Sequence, residues 1–434
     1  MRYSSEAYRT QENEASEAQL RFDHPSIAPL HKLDGNTFFL ELWHGPTSAF
    51  KDMALQVLPR LLTQSLKKIN ETREVCVLVA TSGDTGKAAL EGFRDVPGTK
   101  IMVFYPVDGV SQVQKLQMTS QSGGNVNAVG VIGNFDDAQT GVKAIFSNEI
   151  REGVMLSSAN SINWGRLVPQ IAYYVSAYCD LISSGEIKYG DKINFCVPTG
   201  NFGNILAAYY AEMMGLPINK LICASNRNDV LTQFLGTGVY DRNRPFYTTA
   251  SPSMDILISS NLERLLYELS GKDGNVVSGY MSSLTNKGRY EIPNTVHNEA
   301  GRVFAAGSCC EDETLRTIAD TFNKHNYLID THTAVAHKVL GDYRAETGDN
   351  SATVVVSTAS PYKFCDSVLK ALGKSSDKDD VTLIDELAEV TNTPVPAPLA
   401  DLRTRTPRFT EVVSKDDMKE AVLKFLRNAK RRQE

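Results

Sequence analysis

The sequence holds no apolar run near the roughly 20 residues that cross a bilayer, so no membrane partner is expected. It also lacks a basic excess. Its 45 Lys and Arg stand against 51 Asp and Glu, for a net charge of −6, and the one dense basic run, Lys430, Arg431 and Arg432, reads as a solvated tail. No nucleic acid is expected as a partner, since that calls for a clustered basic face. Cys-x-x-Cys pairs are absent and the seven cysteines are odd in number, which argues against a disulfide framework and a zinc site. Cys76, Cys196 and Cys223 lie in apolar runs, where cysteine acts as a small hydrophobe. His332 and His337 stand five apart instead of the four of a helical zinc pair, and no metal is expected. Neither Gly-x-Ser-x-Gly nor Gly-x-Gly-x-x-Gly occurs, which argues against a serine-hydrolase elbow and a dinucleotide site. Residues 1–20 are polar and acidic and lack the apolar segment of a signal peptide. Together with the cysteine usage, this points to a reducing, cytoplasmic setting.

What is present is globular. Of 434 residues, 42% are hydrophobic and 22% charged, enough to bury a large core. At about 150 residues per domain, that length allows roughly three domains. Short β-rich runs alternate with helix-length amphipathic segments. Strands are expected at Thr37–Leu42, Val75–Ala80, Lys100–Tyr105, Asn125–Val131, Lys192–Val197, Lys220–Ser225 and Thr353–Val356. Helices are expected at Met53–Lys68, Gly86–Arg94, Val113–Gln121, Asp136–Glu149, Arg166–Ser183, Asn204–Met214, Lys363–Leu372 and Asp416–Ala429. The strands are continuous apolar runs, as in a parallel sheet covered on both faces, so the fold class is α/β. Residues 1–25 read as a partly disordered arm, and the Pro-rich stretch 393–398 as a surface connector.

Open α/β sheets bind ligands where strands end and helices begin. Five such loops stand out. Pro198-Thr-Gly-Asn-Phe-Gly-Asn204 leads straight into a helix; its glycines allow close backbone approach and its free N–H groups favour an anion, so it reads as a phosphate cradle. Thr81-Ser-Gly-Asp-Thr-Gly86 offers hydroxyls and a helix start, suited to a carboxylate or phosphate, and equally to plain N-capping. It fails as a Walker A loop, because Thr81 replaces the first Gly and Ala88 the Ser/Thr. Glu41–Asp52 places Lys51 in an apolar stretch, where a desolvated amine can form a Schiff base, although most lysines are solvated. In Asn160-Ser-Ile-Asn163-Trp-Gly-Arg166, an anion site and a surface arginine with capping asparagines are equally consistent with the spacing. Thr358, after a strand, can bond a ring nitrogen or cap the next helix.

Taken in order, His44–Asp52, Thr81–Gly86, Asn160–Asn163, Pro198–Asn204 and Thr358–Phe364 resemble the motifs of threonine synthase, a fold type II enzyme dependent on pyridoxal 5′-phosphate, in its longer microbial branch. The resemblance runs from about residue 25 to about 372. It implies a tryptophan synthase β-like α/β fold of two open lobes with the cofactor between them. It implies that Lys51 carries pyridoxal 5′-phosphate as a Schiff base. Gly200, Asn201, Phe202, Gly203 and Asn204 would cradle the 5′-phosphate, and Thr358 would meet the pyridine nitrogen. Asp84 stands where many fold type II enzymes have Asn beside the cofactor hydroxyl. Thr81, Ser82, Asp84 and Thr85 would hold the substrate carboxylate or phosphate region, and Asn160 and Arg166 the substrate phosphate.

The implied reaction turns O-phospho-L-homoserine and water into L-threonine and phosphate, in a lyase that works as a monomer or homodimer on a small-molecule substrate. The sequence departs from the family in three places. It is shorter ahead of the lysine motif, Ser360 stands where many members have His, and Tyr362 where many have Ala. Two alternatives stay open: a related phospho-lyase releasing a keto acid, ammonia and phosphate, and a non-catalytic protein that binds the cofactor or an amino acid. Because the motifs spread from Lys51 to Thr358, the expected organisation is one catalytic unit over 26–372, with a smaller lobe at about 75–185, and a C-terminal segment over 373–434.

Overall fold

The computed structural model describes residues 21–108, 110–147, 153–374, 378 and 380–430. Residues 1–20 of the expected arm, Glu149 and the basic Arg431 and Arg432 lie outside the described residues.

In chain order the strands are β1 (Leu30–Asp34), β2 (Thr37–Glu41), β3 (Val75–Ala80), β4 (Thr99–Pro106), β5 (Val126–Val131), β6 (Met155–Ser158), β7 (Ile193–Pro198), β8 (Ile218–Ser225), β9 (Val239–Asp241), β10 (Arg289–Glu291), β11 (Phe304–Ser308), β12 (Thr353–Ser357) and β13 (Val412–Val413). They form a larger sheet in the order β1-β2-β12-β7-β8-β11, a smaller one in the order β13-β5-β4-β3-β6, and the ribbon β10-β9. Pairing is parallel throughout the smaller sheet. It is parallel in the larger sheet too, except for the β1–β2 hairpin.

Both sheets are buried on both faces, and the period of two along each strand sorts the side chains. Phe38, Leu40, Phe195 and Val197 enter the core on one side of the larger sheet, while Phe39 and Cys196 enter the core on the other. In the smaller sheet Val75, Val77 and Val79 face one helical layer, and Cys76, Leu78 and Ala80 the other. That is why these strands read as unbroken apolar runs. Among the described residues no helix is long and apolar enough to cross a membrane.

Two expected helices need correction. The helix expected over Met53–Lys68 is two, Asp52–Leu55 and Leu58–Lys68. Pro59 has no N–H to give to Leu55, so the ladder breaks there. Gly92 fills the gap so closely that a methyl at that position would lie 2.0 Å from the Leu55 carbonyl oxygen.

The helix expected over Arg166–Ser183 is likewise broken at Pro169, into Trp164–Leu167, a 3₁₀ turn and Ile171–Ser183. Its last part sets Tyr173, Tyr174, Ala177 and Leu181 into the larger lobe's core. The smaller sheet's last strand from that region, β6, ends at Ser158.

The C-terminal segment packs on the smaller sheet and its helix. Val412 and Val413 pair with Gly130 and Val131, and Met418, Val422 and Leu426 pack on Ala138, Val142 and Ile145. A two-residue strand carries no periodicity to read.

Candidate active site

The carboxyl ends of β2, β3, β6, β7 and β12 lead into the five loops singled out above. The lysine loop is fastened to the loop after β12. Phe50 N donates to Thr358 O at 2.8 Å, and Ser360 N donates to Ser48 O at 3.1 Å. Ser48 adopts φ 55°, a left-handed conformation that turns the chain into the short helix behind Lys51. Beneath it Asp52 is buried and accepts from Thr47 N and Thr47 Oγ1, both at 2.8 Å. Burial pushes its carboxyl up to about 6, against the pull of the Thr47 bonds.

Lys51 is 8% exposed, and its Nζ lies 3.6 Å from Asp84 Oδ2. Burial lowers its amine to about 8; Asp84 opposes that shift, while Arg166 and Lys363 add to it. Asp84 opens helix Asp84–Phe93. Its Oδ1 accepts from Gln114 Nε2 at 2.7 Å and lies 2.8 Å from Lys363 Nζ. Burial alone would raise this carboxyl, but Lys363 and then Lys51 outweigh it and hold Asp84 well below the usual carboxylate range. Lys363 is 1% exposed and also donates to Thr47 O at 2.9 Å. Four charged groups, Lys51, Asp84, Lys363 and Arg166, thus converge on one buried spot.

The loop after β7 is built on a backbone that only glycine permits at position 200. A methyl there would lie 2.6 Å from Ser253 O. Gly200 O accepts from Ser259 Oγ at 2.8 Å, and Asn201 O from Asn261 Nδ2 at 3.0 Å. Phe202 adopts φ 61° and drives its ring into the core, which anchors the turn. Asn201 is exposed and Gly203 starts helix Gly203–Met213. Among the described residues, none accepts from the backbone N–H groups of residues 200–204. Asn204 Oδ1 takes the Tyr174 phenol at 2.6 Å and is also met by Tyr173, while its Nδ2 has no partner among the described residues. Arg166 Nη1 donates to Ala159 O at 2.7 Å, and its Nε has no such partner either. Burial lowers that guanidinium to about 10.

Other expected residues turn inward. Thr81 Oγ1 accepts from Gly83 N at 3.0 Å and Gly86 N at 2.9 Å, so this hydroxyl shapes its own loop. Ser82 and Thr85 stay half-buried beside it. Asn160 Nδ2 donates to Ala80 O at 2.8 Å and ties the end of β6 to the end of β3. Thr358 is buried with its carbonyl on Phe50.

The sequence reading missed Lys363, Gln114, Tyr173, Tyr174 and His332. Lys363 carried the same cue as Lys51, a lysine among apolar neighbours, here Tyr362 and Phe364. His332 accepts from Ser253 N at 3.3 Å and is held by Asp330 at 2.7 Å, which steadies the turn against Gly200; no local signal announces it.

Residues 22–280 match the pyridoxal-phosphate dependent enzyme family, and residues 333–423 match the threonine synthase C-terminal family. The chain is 45% identical over 360 residues to human threonine synthase-like 1, covering 80% of itself and 48% of that protein. It thus spans about half the length of the threonine synthase-like 1 relatives. It is 41% identical over 351 residues to the threonine synthase of Pseudomonas aeruginosa, covering 81% of itself and 73% of that protein. Pyridoxal-phosphate-bound threonine synthase from Brucella melitensis superposes with a TM-score of 0.85 at 38% identity, over 97% of this chain and 84% of that one. Yeast threonine synthase superposes with a TM-score of 0.85 at 34% identity, over 96% of this chain and 84% of that one.

Proposed function

The chain belongs to the threonine synthase family of pyridoxal-phosphate-dependent enzymes, and on that basis we propose that it converts O-phospho-L-homoserine and water to L-threonine and phosphate. The observation that carries the proposal is Lys51, a buried amine lowered to about 8 at the meeting point of the strand-end loops.

The residues present fit the cofactor. Position 200 leaves backbone clearance where a methyl would lie 2.6 Å from Ser253 O. The N–H groups of residues 200–204 and the buried Asn204 Nδ2 and Arg166 Nε have no acceptor among the described residues, which suits a phosphate. When bound, pyridoxal 5′-phosphate supplies an electron sink for charge developing on the substrate α-carbon.

The chain's own groups do the rest. Residues 200–204 would hold the cofactor phosphate. Thr358 would offer an uncharged hydroxyl to the cofactor's ring nitrogen. Arg166 and Asn160 favour the substrate phosphate, and Ser82 and Thr85 its carboxylate, on a loop that Thr81 shapes. Lys51 takes the α-proton and then a β-proton, which lets phosphate leave from Cγ; a proton is then returned to Cγ to make the methyl, water adds its hydroxyl at Cβ while its proton goes with the phosphate, and Lys51 returns the last proton to Cα. An amine near neutrality suits repeated transfer in both directions. The reading includes a small-molecule substrate, a cytoplasmic location and a monomer or homodimer.

The test is product analysis on O-phospho-L-homoserine, with phosphate and amino acids measured together. Threonine equal to phosphate supports the proposal, and keto acid dominating over threonine rejects it.

A further inference from the structure

We propose that Lys363 is a positioning residue that sets the charge of Lys51 by holding Asp84 from the far side. The inference rests on the reading of Lys51 as the reactive amine. It starts from a division of labour within one carboxylate. Asp84 Oδ1 lies 2.8 Å from Lys363 Nζ, and Oδ2 lies 3.6 Å from Lys51 Nζ. Both lysines and the aspartate are buried, so the charges are weakly screened. One anion between two cations cannot fully compensate both. The nearer cation, Lys363, is fixed on its other side by Thr47 O, and Asp84 is fixed by Gln114. Lys51 is left with the longer, weaker pairing, and with Arg166 as a further cation facing it.

That arrangement keeps Lys51 ready to lose its proton, and it does so from two lobes. Asp84 and Gln114 come from the helices that cover the smaller sheet, while Lys363 and Thr47 come from the loops at β12 and β2. The charged groups around the spot are Asp84, Arg166, Lys363 and, beyond Lys363, Asp52.

Removing the Lys363 cation gives Asp84 wholly to Lys51, and the protonated amine gains. In Lys363→Met the midpoint for reaction of Lys51 should therefore move up by about 1 pH unit, the effect of one close charge. In Asp84→Asn it should move down. A loosened fold would also raise the midpoint by letting water reach Lys51, so the double variant Asp84→Asn/Lys363→Met decides. If Lys363 acts through Asp84, its loss moves nothing once Asp84 is gone, and the double variant matches Asp84→Asn. Lys363→Arg should stay within a few tenths of a pH unit of wild type.

The measurement is acetic anhydride labelling of the cofactor-free chain across pH 6 to 11, with the Lys51 adduct read by mass spectrometry against an exposed lysine. An upward midpoint in Lys363→Met, a downward one in Asp84→Asn and a double variant that matches Asp84→Asn support the proposal. A Lys363→Met midpoint that does not rise, or a double variant that lies as far above Asp84→Asn as Lys363→Met lies above wild type, overturns it. The readout needs no turnover. Loss of cofactor absorbance in Lys51→Ala tests the parent reading separately.

Discussion

Gly200→Ala tests whether the loop after β7 is a cradle whose backbone has no room to spare. The added methyl would lie 2.6 Å from Ser253 O and 3.2 Å from Met254 Cα. Both neighbours are backbone, and neither can rotate away as a side-chain tip could. Ser253 is held by His332 from below, and Gly200 O is held by Ser259 Oγ. The loop itself must therefore move, by several tenths of an ångström, and its N–H groups move with it. Overpacking of this kind costs about 1–3 kcal/mol. If the strain is relieved by shifting the loop, cofactor affinity drops at least tenfold, or about 1.4 kcal/mol. The assay is titration of the cofactor-free protein with pyridoxal 5′-phosphate, followed by absorbance, beside urea unfolding of the same sample. The control is Gly279→Ala in helix Gly274–Lys287, where nothing lies within 4 Å of the new methyl. That change should stabilise by about 0.5–1 kcal/mol and leave cofactor affinity alone. Affinity of Gly200→Ala within twofold of wild type would refute the reasoning.

Lys51→Met should abolish covalent cofactor capture and stabilise the cofactor-free fold at pH 7 by about 3 kcal/mol, because the charged amine is buried. The sign follows from the lowered amine, about 8 in the fold against 10.5 for the ordinary group. The unfolded chain binds more protons on Lys51 between those values, so the variant's advantage over wild type shrinks as pH rises from about 8 to 10.5; a parallel pair of urea-midpoint profiles would reject it. Tyr174→Phe removes the phenol at 2.6 Å from Asn204 Oδ1 and should weaken cofactor binding by about 1 kcal/mol, some fivefold in the titration. Gly92→Ala places a methyl 2.0 Å from Leu55 O and should lower the urea midpoint by at least the equivalent of about 1–3 kcal/mol.

The central strands were legible because burial on both faces writes itself as unbroken apolar runs, and the site loops because they follow those strands directly. β1, β6, β9, β10, β11 and β13 were not. Each is three to five residues long, or two in β13, and half-exposed or at an edge, so no period develops. Proline was underread. Pro59 and Pro169 sit inside segments whose amphipathic pattern continues across them, and each splits a helix that the pattern joined. In the site, residues contributed by a single loop could be seen, but partners brought in by the fold could not. Lys363 and Asp84 are 279 positions apart in number yet 2.8 Å apart in space. Nothing local to either residue announces that pairing.

The lysine motif shows how much of a recognisable sequence serves to hold one amine. His44 places both ring nitrogens 2.8 Å from carboxylates, Nδ1 from Asp23 and Nε2 from Glu41. Burial works against its charged form, yet the two carboxylates win and raise it above its ordinary value. It thereby fastens the chain at residue 23 to the start of the loop. Gly45 leaves clearance for the Asp52 carboxylate, which a methyl would meet at 2.5 Å. Thr47 spends its N–H and hydroxyl on Asp52 and its carbonyl on Lys363, and so joins the scaffold to the charged cluster. Ser48 supplies the left-handed turn and Phe50 the bond to Thr358. Of the motif's side chains, Lys51 is the one that faces Asp84 across the charged cluster. The others fix where its amine sits and how weakly it is paired, and that geometry, more than the lysine alone, is what makes the segment chemically specific.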